Sequence, residues 1–324
     1  MLEANQIVDV ASFSDLTKMA ERYGAMILHE SRGTYHRYTV QDEQVVYQYI
    51  LDGSQGESLF PDAYLFKRSL LTGLKEGQFE LYYQPVLSIK DREMLGVEAF
   101  LRWNHPQHGT VYPVDFIDLA ESGNLIPTID RWVAHKVCQQ LVEWQEADVE
   151  VVPVSINLSP ETVLDEEFIQ EFQEIVLQKV CHPRLIQLEI NRFNKVIKDK
   201  RYQDHLGKLT DLGITLAIDN FATDDANQIN QVFQTPIQTL KIDRSVVQKM
   251  KYDPHANQLV GAVAAMAKKF QVQVVAQGVE TEEDLDRIRE QEIEVAQGFY
   301  LGKPLRPQEL EEMLQKKKTH FRKW

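Results

Sequence analysis

The chain has 324 residues, 43% of them hydrophobic and 26% charged, which fits a soluble globular protein with one large domain and room for a small one. Its formal net charge of -14 argues against a nucleic-acid coat or an anionic membrane as the main partner, because both require a surplus of Lys and Arg. Cys138 and Cys181 stand in no disulfide framework or zinc-binding spacing, no stretch approaches the ~20 apolar residues of a membrane span, and the start MLEANQIVDV lacks a signal-peptide pattern, so reduced cysteines and a cytoplasmic location are expected.

Residues 1–60 read as a small αβββ module. SFSDLTKMAERYG offers Ser12 or Ser14 as a helix cap and Gly24 as a stop, with Leu16 and Met19 on one face. GAMILHES, GTYHRYTV and EQVVYQYIL then alternate polar with apolar or aromatic residues and are parted by SRG and QDE, which predicts a three-stranded meander. His29 and His36 are solitary histidines in amphipathic strands, the usual pattern of surface residues rather than ligands. DGSQGESLFPD, residues 52–62, reads as a linker.

From Tyr64 onward, strands and helices take turns. FELYYQPVLSI, LGVEAFLRW, VVPVSINLS, LIQLEINR, ITLAIDNF, TLKIDRS, VQVVAQGVE and VAQGFYLG are β-rich. Amphipathic helical segments such as WVAHKVCQQLVEW and EEFIQEFQEIVLQ lie between them, the latter with Phe168, Phe172 and Ile175 on one face. Such alternation predicts a mostly parallel sheet covered by helices, closed into a (β/α) barrel; an open doubly wound sheet is the alternative. Glu98, Asn157, Glu189, Asp219, Lys241, Gln277 and Gln297 each fall at or near a strand end, mostly ~20 to 35 residues apart, the length of a βα unit. In a barrel those ends share one rim. The basic end QKKKTHFRKW, within a predicted tail of residues 313–324, reads as a solvated, frayed segment.

Nine ordered segments then resemble the EAL domain family, bacterial phosphodiesterases that linearise cyclic di-GMP on a modified TIM barrel. They are YYQP (82–85), EAFLRW (98–103), PVDFIDLAESGNLI (113–126), INLSP (156–160), LEIN (188–191), IDNF (218–221), LKID (240–243), AQGVET (276–281) and QGFYLGKP (297–304). The resemblance covers about residues 63–312 and implies an α/β, TIM-like (β/α)8 barrel with a modified first strand, behind the α+β module. It implies that Glu98, Asn157, Glu189 and Asp219 hold a first divalent cation, for which three carboxylates and an amide oxygen suit Mg²⁺ or Mn²⁺. Gln84, Glu98, Phe100, Arg102, Asp219, Glu280, Gln297 and Pro304 fall where the family contacts its ligand, with Arg102 offering its guanidinium to a phosphate. Lys241 matches the lysine that orients catalytic water.

The pattern also departs from the family's. Where DDFGTGYSSL is typical this chain has DNFATDDANQI, so the second acid is Asn220, and Ala222 and Asp224 stand in place of glycines. AEGVE becomes AQGVE, placing Gln277, which accepts no proton at neutral pH, at the position the family uses to activate the attacking water or to tune the metal pair. LEITE becomes LEINR, with Arg192 replacing an acid that anchors a loop. Asn220 and Gln277 keep the acids' shape and lose their charge, so Lys241, Gln277 and Asn220 are expected to be catalytic vestiges. The expected function is a non-catalytic cyclic di-GMP receptor holding at most one Mg²⁺ or Mn²⁺, or none. The alternatives are a ligand-independent interaction scaffold and a weak metal-dependent phosphodiesterase. A protein partner is expected through residues 1–60 or the barrel helices; pairing of two copies through those helices rests on analogy alone.

Overall fold

The computed structural model describes residues 25–30, 34–41, 44–51, 63–178, 182–191, 199–221 and 235–321, with side chains described only between 66 and 315. The predicted helix before Gly24, the 52–62 linker, Cys181, Arg192, Ala222, Asp224, Asp225 and the side chains of His29 and His36 lie outside the described residues. The chain divides into two compact units, Met1–Glu80 with Arg102–Leu125, and Leu81–Leu101 with Ile126–Trp324.

In the first unit β1 (Ala25–Glu30), β2 (Thr34–Gln41) and β3 (Gln44–Leu51) form the predicted antiparallel meander, with Glu30 opposite Thr34 and Gln41 opposite Gln44. Helix α1 (Ala63–Lys75) buries Phe66 and Leu70, four residues apart and so on one face. Strands β4 (Phe79–Ser88) and β5 (Met94–His105) run through both units, and β6 (Gly109–Val111) pairs with the end of β5. Ahead of α2 (Ile117–Ser122), the rings of Phe79 and Phe116 meet Trp103 at 4.9 and 5.8 Å, stacked and edge-on, while Trp103 Nε1 donates to Gln78 Oε1 at 3.0 Å. These buried rings, joined by Phe66, supply apolar area to the unit, and the one polar atom of the indole is satisfied.

The second unit carries α3 (Ile126–Glu146), β7 (Val154–Leu158), α4 (Pro160–Val163), α5 (Glu166–Leu177), β8 (Ile186–Ile190), α6 (Lys200–Asp211), β9 (Thr215–Phe221) and β10 (Thr239–Ile242). After these come α7 (Arg244–Lys249), α8 (Pro254–Lys269), β11 (Gln273–Ala276), α9 (Glu282–Glu290), β12 (Val295–Ala296) and α10 (Pro307–Phe321). The strand order is β4-β12-β11-β10-β9-β8-β7-β5, and β4 pairs again with β5, so the sheet closes into a barrel of eight strands rather than the open doubly wound alternative. From β5 to β12 the neighbours are parallel. β4 is the modified first strand, antiparallel to β12 with Val295 opposite Ser88.

Period-two alternation explains which side of the sheet faces what. In β7 Val154, Ile156 and Leu158 are fully buried, while Ser155 and Asn157 share the other face. That other face is polar yet satisfied: Ser155 Oγ donates to Gln187 Oε1 at 2.9 Å and Gln187 Nε2 to Thr239 Oγ1 at 2.9 Å. Side-chain caps fix the helix starts, as with Asp165 accepting from the backbone of Glu167 and Phe168. Cys138 is a free, buried thiol on α3.

Two sequence expectations need adjusting. On α5 the face is completed by Ile169 and Val176, fully or nearly fully buried, whereas Ile175 is half-buried; the i, i+4 spacing from Phe168 through Phe172 leads to Val176. Helix α10 runs on to Phe321, through most of the segment read as a basic tail, because no Gly or Pro interrupts EEMLQKKK and its lysines suit a helix C-terminal half. Among the described residues no helix is long and apolar enough to cross a membrane.

Candidate functional site

The parallel register brings strand-end residues side by side. Asn157 of β7 is opposite Glu189 of β8, Glu98 of β5 is opposite Ser155, and Ala217 of β9 is opposite Glu189, which puts Asp219 one pleat further along the same face. Lys241 on β10 shares the face of Thr239 and completes the group from the next strand.

Lys241 is the centre of charge. Its ammonium, 1% exposed, lies 2.7 Å from Glu98 Oε2 and makes a closer ion pair with Glu189 Oε1. Burial works against the Lys241 charge, but Glu189, Glu98 and Asp219 outweigh it and raise its pKa. Burial also opposes ionisation of Glu98, and there Lys241 prevails, helped by hydrogen bonds from Asn157 and Gln297, so that pKa is lowered. For Glu189 burial wins, with the Glu98 charge adding to it, and its carboxyl is pushed up to about 8. Asp219 is pushed up to about 6, again chiefly by burial, with Lys241 pulling the other way.

Around these charges runs a ring of carboxamides. Asn157 Nδ2 donates to Glu98 Oε1 at 2.9 Å, and Gln297 Nε2 donates to Glu98 Oε2 at 3.0 Å and to Gln84 Oε1 at 3.2 Å. Gln84 Nε2 in turn donates to the Gly302 carbonyl at 2.9 Å. On the other side Asp219 Oδ2 accepts from Asn220 Nδ2 at 2.6 Å and Oδ1 accepts from Gln277 Nε2 at 3.0 Å. Asn191 joins the two halves: it donates to Asn157 Oδ1 at 3.2 Å and accepts from Asn220 Nδ2 at 3.4 Å. Asn191 was not singled out from sequence, although it ends the LEIN segment one pleat beyond Glu189; a polar residue that follows the last apolar position of a barrel strand was the available signal.

Backbone geometry holds this arrangement. Asn220 has φ +55°, a left-handed conformation that Asn tolerates better than most residues. Gly278, at φ +72°, lies so close to Arg244 that a Cβ would come within 2.2 Å of Arg244 Cγ, so only Gly fits beside Gln277.

The remaining residues of the ligand-contact pattern have the following surroundings. Glu280 pairs with Arg244 at 2.5 Å and its backbone N–H donates to Asp284 Oδ2 at 3.1 Å. Phe100 and Pro304 are half-buried. Arg102 belongs to the first unit, where its guanidinium stacks on the Tyr112 ring at 4.4 Å.

The oxygens of Glu98, Asn157, Glu189 and Asp219 are hard donors suited to one Mg²⁺ or Mn²⁺. Glu189 Oε2 favours such an ion, being buried without a hydrogen-bond partner. Yet among the described residues no three Asp, Glu, His or Cys side chains are gathered as a metal-binding group, since Lys241 draws Glu98 and Glu189 to itself. A second ion fits poorly: the groups flanking Asp219 present N–H donors, which repel a cation.

A closed parallel barrel with a reversed first strand and an acid- and amide-rich rim defines a class, and the sequence places the chain within it. The chain belongs to the EAL domain family, whose model matches residues 67–304. It is 31% identical over 248 residues to the cyclic di-GMP phosphodiesterase NbdA of Pseudomonas aeruginosa, covering 76% of this chain and 32% of that protein. Among solved structures it is similar to the MucR phosphodiesterase of the same organism in complex with c-di-GMP, with TM-score 0.71 and 29% identity over 76% of this chain and 99% of that one. It is likewise similar to the EAL enzyme Bd1971 with cAMP and cyclic-di-GMP bound, with TM-score 0.71 and 27% identity over 78% and 69% of the two chains. The chain spans about a third of the length of the curated relatives it matches.

Proposed function

We propose that this chain is a non-catalytic cyclic di-GMP receptor of the cytoplasm, whose occupancy reaches a protein partner through residues 1–60 or the barrel helices. The ligand is suggested by relatives that carry its name in their activity or their complex. The observation that carries the non-catalytic reading is the state of Asp219, whose two oxygens each accept an amide N–H from Asn220 and Gln277. Those are the positions at which the family resemblance has acids. No side chain there accepts a proton from water at neutral pH, and a general base is worth ~10²- to 10⁴-fold in rate.

The remaining residues serve binding. Gln84, Glu98 and Gln297 keep a rigid hydrogen-bonded floor, and the buried Gln297 Oε1, which lacks a partner, is an acceptor for a ligand N–H. Lys241 holds Glu98 and Glu189 together and keeps the rim from flying apart by repulsion. One Mg²⁺ or Mn²⁺ on Glu98, Asn157, Glu189 and Asp219 would supply positive charge for a ligand phosphate.

Isothermal titration with cyclic di-GMP, with and without Mg²⁺, tests the reading together with chromatography for the linear dinucleotide after long incubation in Mn²⁺. Saturable heat without product is expected. A flat trace at high micromolar ligand removes the receptor, and product above the buffer control removes the word non-catalytic. One observation favours a ligand-independent scaffold instead: the guanidinium of Arg102, the phosphate contact implied by resemblance, sits over the Tyr112 ring at 4.4 Å. On that reading Arg102→Ala leaves function in cells unchanged.

A further inference from the structure

We propose that the carboxamides of Asn220 and Gln277 replace a second divalent cation, each clamping one oxygen of Asp219 with a fixed N–H so that the site is complete without that ion. An acid at either position would set oxygen lone pairs against Asp219 at the present separations of 2.6 and 3.0 Å, and only a shared cation or proton would relieve the repulsion. An amide of the same shape turns the repulsion into a charge-assisted hydrogen bond.

The clamp is built from both sides. Asn220 is held by its left-handed backbone and by Asn191 Oδ1 at 3.4 Å, and Asn191 continues through Asn157 to Glu98. Gln277 is held by the sheet, its backbone N–H donating to the Ile242 carbonyl at 3.0 Å. The direction of the Asn220 donor is thus set by a neighbour other than Asp219 as well, while the Gln277 donor is placed by its anchored backbone. Glu189 Oε2 and Gln297 Oε1 stay buried without a hydrogen-bond partner, so the closure concerns Asp219 alone.

This inference concerns the same rim as the receptor reading but does not rest on it, because it is tested with metal alone and no dinucleotide. The full chain and the Asn220→Asp/Gln277→Glu double variant are compared by calorimetry in EDTA and by Mn²⁺ titration followed by electron paramagnetic resonance. The wild type is expected to bind at most one Mn²⁺. The double variant should melt about 3 °C or more below wild type in EDTA, bind one Mn²⁺ more than wild type, and recover its melting temperature as it does so. The proposal is overturned if wild type binds two Mn²⁺, or if the variant melts at or above wild type in EDTA. Should the double variant not fold, the wild-type count and the single Gln277→Glu variant, whose backbone is fixed by the sheet, decide in the same terms.

Discussion

Two charge clusters in the second unit use similar side chains in opposite surroundings. On the barrel rim Lys241, Glu98 and Glu189 are almost wholly out of water. On the helices α3 and α5, Arg131 meets Asp165 at 3.0 Å and a closer Glu171, and Glu171 also meets His135 at 2.7 Å, with side chains roughly a third exposed. Water screens the outer cluster and lets each member find another partner, so its net worth is small. At the rim no such escape exists. Removing one member there strands the others, and the amide donors of Asn157 and Gln297 on Glu98 keep its carboxylate hydrogen-bonded out of water.

Breaking the comparison from the buried side gives the largest effect. Lys241→Met leaves the buried Glu98 carboxylate without its counter-charge and should cost about 3 to 5 kcal/mol in urea unfolding at neutral pH. A loss no larger than that of a surface pair would show that the rim is wetter than its burial implies.

Asp130 sharpens the contrast from between the two extremes. It sits on α3 next to Arg131 yet is buried, its Oδ2 accepting from the Ser159 backbone at 2.9 Å and from Thr162 Oγ1 at 2.7 Å. Burial pushes its carboxyl from 3.8 up to about 6, against the pull of those hydrogen bonds. An acid that holds its proton more tightly in the fold than in the unfolded chain loses stability as pH rises from about 4 to about 6, and above that the full cost of the buried charge remains. Asn at this position keeps an acceptor for both donors without the charge. Asp130→Asn is therefore expected to flatten the stability profile between those pH values and to raise stability at pH 7 by about 1 to 2 kcal/mol.

The smallest effect is expected outside. Arg131→Met should lower stability by about 0.5 to 1 kcal/mol in low salt, and the difference should fade toward about 1 M NaCl. A loss that salt does not touch would mean that the arginine stem, not its charge, holds the helices together.

Much of the architecture was readable because barrel strands write themselves twice, once in apolar alternation and once in the polar residue at the end. That double signature assigns Glu98, Asn157, Glu189, Asp219, Lys241, Gln277 and Gln297 to one rim from the sequence alone. The pairings among them were not readable. Nothing in the chain says that Lys241 reaches Glu98, 143 residues away in sequence, or that Asn191 bridges Asn157 and Asn220, because partners across strands depend on register. Arg102 shows a further limit: its position in EAFLRW carries the resemblance to a ligand contact, but nothing in the sequence says that its guanidinium meets the Tyr112 ring, which the β5–β6 pairing brings near. The run of helix α10 past residue 313 was missed because a lysine cluster was read for its charge, although its helix propensity was equally plain.

The reversed strand β4 has a consequence for biogenesis. Its seam joins Ser88 to Val295, so the ring cannot be zipped shut until nearly all of the intervening chain has been synthesised and folded. Until then two raw edges of sheet are bare, and a ribosome stalled before β12 would carry a nascent chain apt to pair with its neighbours. A chaperone that shields those edges would therefore matter most in the last moments of translation.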